Sequence, residues 1–152
     1  MSRKPASPLQ SHLGYWMRFV SNHVSHAFML KVEARGVTVA EWVVLRQLYD
    51  GEGDAPSTLA ERLGLTRGAI SKLADRLLAK SLVARTIDKN DRRYQTLALT
   101  LAGRALVPQL AALADQNDAE FFGHLSASQR RAAAGMLKDI VKRRKLKDVP
   151  LE

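Results

Sequence analysis

The chain has 152 residues, a length that suits one domain with supporting helices. A 46% share of hydrophobic residues is enough to build a core and excludes a generally disordered chain. The sequence contains no cysteine, which excludes disulfides, thiol nucleophiles and cysteine-based redox sensing. Residues 1–8 lack the apolar run of a signal peptide, and nothing approaches the run of about 18 apolar residues that a membrane span requires. The expectation is a soluble, cytoplasmic protein without a membrane partner.

The net charge of +9 is unevenly placed. Residues 57–104 hold ten Lys/Arg against four Asp/Glu, and residues 129–152 hold eight against three. Residues 105–128 carry three acids and no base, while residues 1–56 are near balance with six bases and five acids. A basic excess that coincides with a folded motif points to a polyanionic partner.

Residues 1–8, with two prolines, two serines and two bases, predict a loose arm. Beyond Leu9, apolar residues recur at Leu13, Trp16, Met17, Val20, Val24, Phe28 and Val32, which is helical spacing ending near Gly36. Thr38 with Glu41 forms a capping box for a second helix, Val39 to about Tyr49. Residues 51–56 predict a loop. A short third helix follows Ser57 or Thr58, with Thr58 and Glu61 as a second capping box, and Gly64 ends it. Thr66 caps a fourth helix that reaches about Lys80. Leu82–Ile87 and Tyr94–Leu99 are β-prone runs around a polar tip, the pattern of a hairpin. Thr100 caps a fifth helix running toward Gly123, with Pro108 as a place where it can bend. Ser126 with Gln129 caps a sixth, which ends in the basic stretch Lys142 to Lys147.

The order ααααββαα is mostly α, an α+β arrangement. Residues 58–77 have helix-turn-helix spacing: Ala60 is small at the crossing, Gly64 sits in the turn, and Ile70 plugs the angle between the helices. An ordinary αα-corner shares this spacing, but the hairpin that follows makes the unit a winged helix-turn-helix. On the fourth helix, Ile70, Leu73, Ala74 and Leu77 face inward; Thr66, Arg67, Gly68, Ser71, Lys72 and Arg76 face out. A lone charged face is merely solvated. Beside a basic wing it predicts contact with double-stranded DNA, Arg67 reading guanine and Lys72 and Arg76 meeting phosphates. Arg92 and Arg93 at the hairpin tip are placed to reach a minor groove, and Asp91 to brace one of them.

The residues D-x-x-D-R-R-x-x-x-L-x-L-T-x-x-G, here Asp88, Asp91, Arg92, Arg93, Leu97, Leu99, Thr100 and Gly103, resemble the MarR family of bacterial transcriptional regulators. The stretch R-L-L-A-K-S-L-V-A-R before them is similar to that family's exit from the recognition helix, and the resemblance covers about residues 9–145. Ser81 departs from it, standing where the family usually has Gly; if the position needs positive φ, serine costs stability there. The resemblance implies a structural Asp91, a groove-contacting Arg93, and small aromatic or phenolic effectors bound between the dimer helices and the DNA-binding lobe. Trp16, Arg18, Trp42 and Arg46 are the candidate effector pocket.

The expected organisation is an arm at 1–8, a helical dimerisation region at 9–36 and 100–145, a DNA-binding lobe at 37–99 and a tail at 146–152. The apolar stripes Leu106, Leu110, Leu113, Phe121 and Phe122, and Met136, Leu137, Ile140 and Val141, call for a two-fold partner, hence a homodimer. The expected function is a repressor on a palindromic operator. His23 and His26 are three apart but find no third ligand in the sequence, so neither metal nor other cofactor is expected. No catalytic triad, phosphate loop or paired acid stands out, so no enzyme is expected. A pure protein-interaction winged helix would lack the basic recognition face.

Overall fold

The computed structural model describes residues 3–87, 89–91 and 94–147. Its elements are α1 (Leu13–Glu33), α2 (Val39–Tyr49), α3 (Pro56–Leu63), α4 (Arg67–Ala79), β1 (Val83–Ile87), β2 (Gln95–Leu99), α5 (Leu101–Phe122) and α6 (Ala127–Arg143), with a 3₁₀ turn at Leu9–Ser11 before them. The fold is the expected winged helix-turn-helix carried on long helices. Among the described residues no helix is long and apolar enough to cross a membrane.

The helix starts follow from their caps. Thr38 and Glu41 form the reciprocal capping box of α2, and Ser126 and Gln129 that of α6. Thr66 Oγ1 accepts from Ala69 N at 3.1 Å, and Thr100 Oγ1 from Gly103 N at 3.1 Å. The second box predicted for α3 does not form. The helix begins at Pro56, so Thr58 is already inside it and Ala55 is the N-cap. Proline's fixed φ and missing N–H suit the first helical position, and that preference sets the start two or three residues earlier.

The core lies where α2, α4 and the hairpin meet α1 and α5. Val32, Val44, Leu45, Leu48, Leu59, Ile70, Leu77, Leu97, Val107 and Leu110 are all buried there. β1 and β2 pair antiparallel from Val83 with Leu99 to Ile87 with Gln95. The loop expected over 51–56 contributes a further rung: Asp54 N donates to Leu97 O at 3.0 Å, and Leu97 N donates to Asp54 O at 2.8 Å. No periodicity marks a single-residue bridge, so the sequence does not show it.

The motif threonine and glycine after the hairpin have a packing reason. Thr100 N donates to Leu82 O at 3.1 Å and Thr100 Oγ1 to Ser81 O at 2.7 Å. A Cβ on Gly103 would sit 2.1 Å from Leu82 O, so only glycine lets α5 approach the start of β1. Ser81 itself has φ 58°, the left-handed conformation that the departure from glycine raised as a possibility.

α1 and α5 are bound by polar contacts as well as by apolar ones. Lys31 Nζ donates to Asn117 Oδ1 at 2.9 Å and to Glu120 Oε2 at 2.8 Å, and Asn117 Nδ2 donates to Val24 O at 3.1 Å. The Lys31 ammonium holds the Glu120 carboxyl below its ordinary range, with a further hydrogen bond from Gln116 acting the same way. α5 continues through Pro108 to Phe122. Within α6 no residue is buried: Met136, Leu137, Ile140 and Val141 all face solvent. Leu9, Leu13, Trp16, Met17, Phe19, Val20 and Leu30, on and just before α1, are also exposed.

Candidate nucleic-acid interface

The helix-turn-helix is α3, a tight turn, and α4. Gly64 has φ 66° and closes the turn in a conformation that a side chain resists. Ala60, nearly buried, lets α3 and α4 cross closely, and Ile70, Leu73, Ala74 and Leu77 fix α4 to the core. That packing decides which face of α4 is free. Thr66, Arg67, Gly68, Ser71, Lys72 and Arg76 are all exposed along one side. Nothing lies within 4 Å of where a Cβ on Gly68 would stand except the Thr66 hydroxyl at 4.0 Å, so the helix start is open to close approach. The Thr66 oxygen is engaged as the N-cap and retains its hydroxyl proton and a second lone pair for a further partner.

Arg67, Lys72 and Arg76 form no ion pair among the described residues, whereas Asp75 on the same helix pairs with Arg85 of β1 at 3.7 Å. Arg85 lies two residues after the buried Val83 and so shares its face of the strand, and its side chain reaches Asp75 of α4. Between the start of α3, α4 and the hairpin lies a concavity of about 640 Å³, whose lining residues include Arg67, Arg85, Ser57, Thr58, Ser71 and Tyr94. Two cations and several hydroxyl donors around an open concavity suit an oxyanion such as a phosphodiester. Arg85, Ser57 and Tyr94 were not among the residues expected from the sequence. Strand alternation after Val83 was the signal for Arg85; the others become neighbours only through the fold.

At the wing, Asp91 O accepts from Tyr94 N at 3.0 Å. Asp88, Arg92 and Arg93 lie outside the described residues.

The four effector candidates are not brought together within one chain. Trp42 is half-buried and packs edge-on against Phe28, with ring centroids 6.4 Å apart. Arg46 pairs with Asp50 at 2.8 Å and lies over the Tyr49 ring. Trp16 is exposed on the far part of α1, where its Nε1 donates to Gln10 O at 2.9 Å, and Arg18 is exposed near it. Trp16 and Phe28 are twelve residues apart on α1. That spacing is about 18 Å of helix. A cavity of about 230 Å³ between α1 and α5, lined by Val24, Phe28 and Asn117 among others, adjoins Trp42 through Phe28. Among the described residues no group of three or more His, Asp or Glu side chains converges as a metal site. His23 instead donates from Nδ1 to Phe19 O at 3.0 Å and stacks on the Phe19 ring.

A helix-turn-helix with a free basic second helix, a two-stranded wing behind it and long flanking helices defines a winged-helix DNA-binding transcriptional regulator. The sequence profile of the MarR family matches residues 35–93. The HTH-type transcriptional repressor MdtR of Bacillus subtilis is 29% identical over 151 residues, covering 92% of this chain and 97% of that one. Among solved structures, BpsR of Bordetella bronchiseptica, described by the regulation of its DNA binding by 6-hydroxynicotinic acid, superposes with a TM-score of 0.76 at 25% identity. That match covers 90% of this chain and 97% of that one. A mutant of MarR from E. coli, complexed with operator DNA, superposes with a TM-score of 0.75 at 25% identity over 85% of this chain and 93% of that one. Profile, curated relatives and solved structures all support the MarR family of transcriptional regulators.

Proposed function

We propose that the chain is a homodimeric repressor that occupies a palindromic operator and is released by a small aromatic acid or phenol. The observation that carries the dimer is α6, a helix of 17 residues with none buried and a regular apolar stripe open to solvent, matched by a second exposed apolar face on α1. A second copy of the chain can cover both faces about a two-fold axis, and that axis would repeat the recognition helix on the other half of a palindrome. Residues 9–36 and 100–145 serve as the dimerisation region and 37–99 as the DNA-binding lobe.

On each half-site the start of α4 enters the major groove. Arg67 reads a base there, with Thr66, Gly68 and Ser71 against the groove, while Lys72, Arg76 and Arg85 neutralise phosphates. Arg92 and Arg93 reach a minor groove from the wing, with Asp91 as their brace. The comparison with BpsR supports an aromatic acid as effector, and the α1–α5 cavity next to Phe28 and Trp42 is the place it would enter. Trp16 and Arg18 join such a pocket only if the partner subunit carries them there.

Selection from random duplexes tests this reading. A recovered inverted repeat, bound by two chains per duplex in sedimentation, supports it, and recovery of single unrepeated sites bound by one chain overturns it. Titration with hydroxylated benzoic and nicotinic acids then tests release.

A further inference from the structure

The C-cap of the recognition helix and the two residues that follow are held from both sides. Lys80, the C-cap of α4, donates from Nζ to Gly36 O at 2.9 Å and to Glu41 Oε1 and Oε2 at 2.9 and 2.7 Å. Every ammonium proton therefore has an acceptor. Gly36 lies in the turn that ends α1, and Glu41, 1% exposed, lies in the first turn of α2. On the opposite side, Thr100 and Gly103 at the start of α5 grip the carbonyls of Ser81 and Leu82, as described above. α1 and α5 are the two long helices of the described core, and both end on this three-residue segment.

We infer that residues 80–82 are a fastening node that transmits the orientation of the long helices to the recognition helix, and that Lys80 and Glu41 are its positioning pair. The inference rests on the reading that two copies bind one operator. Apolar contacts between α4 and its neighbours tolerate small rotations, whereas three directional hydrogen bonds to one ammonium do not. Glu41 is buried but the Lys80 side chain is 39% exposed, and such a half-buried pair adds little to stability, so geometry is what it supplies here. Glu41 also accepts from Thr38 N at 3.3 Å, so its carboxylate joins the cap of α2 to the end of α4.

The variant that isolates this role is Glu41→Gln combined with Lys80→Met. Glutamine at that position retains the capping box, and methionine retains the apolar stem, so no charge is left buried without a partner. Because the chain has no cysteine, Lys72→Cys places one spin label on each recognition helix without further changes. Pulsed electron spin resonance on the DNA-free protein reads the distance between the two helices. The distribution is expected to be narrow in the otherwise unaltered protein and about twofold broader in the double variant.

In unlabelled protein without the Lys72→Cys change, binding to a single half-site should stay within about twofold, while a one-base-pair insertion at the operator centre should be discriminated about fivefold less sharply. An unchanged distance distribution and an unchanged spacing penalty overturn the inference. If the double variant does not fold, Lys80→Arg is read in the same way, because a planar guanidinium cannot match the three acceptors that one ammonium joins. Absence of any inter-label distance in the otherwise unaltered protein overturns the dimer reading, and this inference with it.

Discussion

In α4 the apolar residues Ile70, Leu73, Ala74 and Leu77 are buried and the polar ones face out; in α6 the apolar residues Met136, Leu137, Ile140 and Val141 face out and nothing is buried. Both helices are amphipathic, both begin at a threonine or serine cap, and only one of them finds its counter-surface within the chain. The lobe around α4 is a finished core whose exposed face is free to bind something polar. The exposed faces of α1 and α6 are apolar and uncovered, and the dimer proposed above rests on them. A polar face left free and an apolar face left free are therefore evidence for different partners.

The largest effect should come from making α6 polar. Leu137→Glu with Ile140→Glu should leave the lobe folded, because neither residue belongs to its core, while abolishing the dimer. Operator affinity should then fall by about 10²–10⁴-fold, the loss expected when two linked half-site contacts become one. Sedimentation and fluorescence anisotropy measure the two parts, and a dimer that survives the double change breaks the comparison at its root.

Arg67→Ala sharpens the other side of it. With no ion pair to lose among the described residues, the substitution should leave thermal stability unchanged and cost about 1–3 kcal/mol on the preferred operator, with relaxed specificity at one position in each half-site. Equal weakening on all duplexes would reassign Arg67 to phosphate contact.

Ser81→Gly addresses the joint between the two regions. At φ 58° the serine Cβ is strained, and glycine should stabilise the chain by about 0.5–1 kcal/mol net of its greater unfolded-state freedom. Melting temperatures compared at one protein concentration give the answer. A fall in stability would show that the serine side chain contributes more than its backbone conformation costs.

The smallest effect is in acid. Glu120 is held below the ordinary glutamate range by Lys31, so the α1–α5 contact gains stability from it that is fully present above the unfolded-state value. That contribution is lost as pH falls through the lower folded-state value. Glu120→Gln should therefore leave a shallower decline in stability on the acid side, with little change in the lobe's binding face. Parallel acid-unfolding curves for the two proteins would remove Glu120 from the account.

Much of this was legible in the sequence, for local reasons. Helix starts at Thr38, Thr66, Thr100 and Ser126 are written in side chains that bond their own helix, and the inward face of α4 follows from a period of 3.6. The hairpin follows from a change of period, and the turn at Gly64 from a residue that tolerates positive φ. The start of α3 lies two or three residues before the expected one because two local signals compete, and proline's backbone geometry prevails over a serine or threonine cap.

What the tertiary structure decided is whatever depends on residues far apart in sequence. The pairing of Asp54 with Leu97, the turn of Arg85 toward Asp75, and the concavity that gathers Arg67, Arg85 and Ser57 have no periodicity to announce them. Glu41 looks in the sequence like an ordinary capping residue; only the packing of α4 against α2 brings Lys80 to it. The length of α1, whose Phe28 packs on Trp42, keeps Trp16 away from Trp42, although the resemblance had grouped the two. Local bonds are fixed by spacing along the chain and can be read from it. Contacts between elements depend on how helices cross and strands twist, and the chain acquires them only when it is folded.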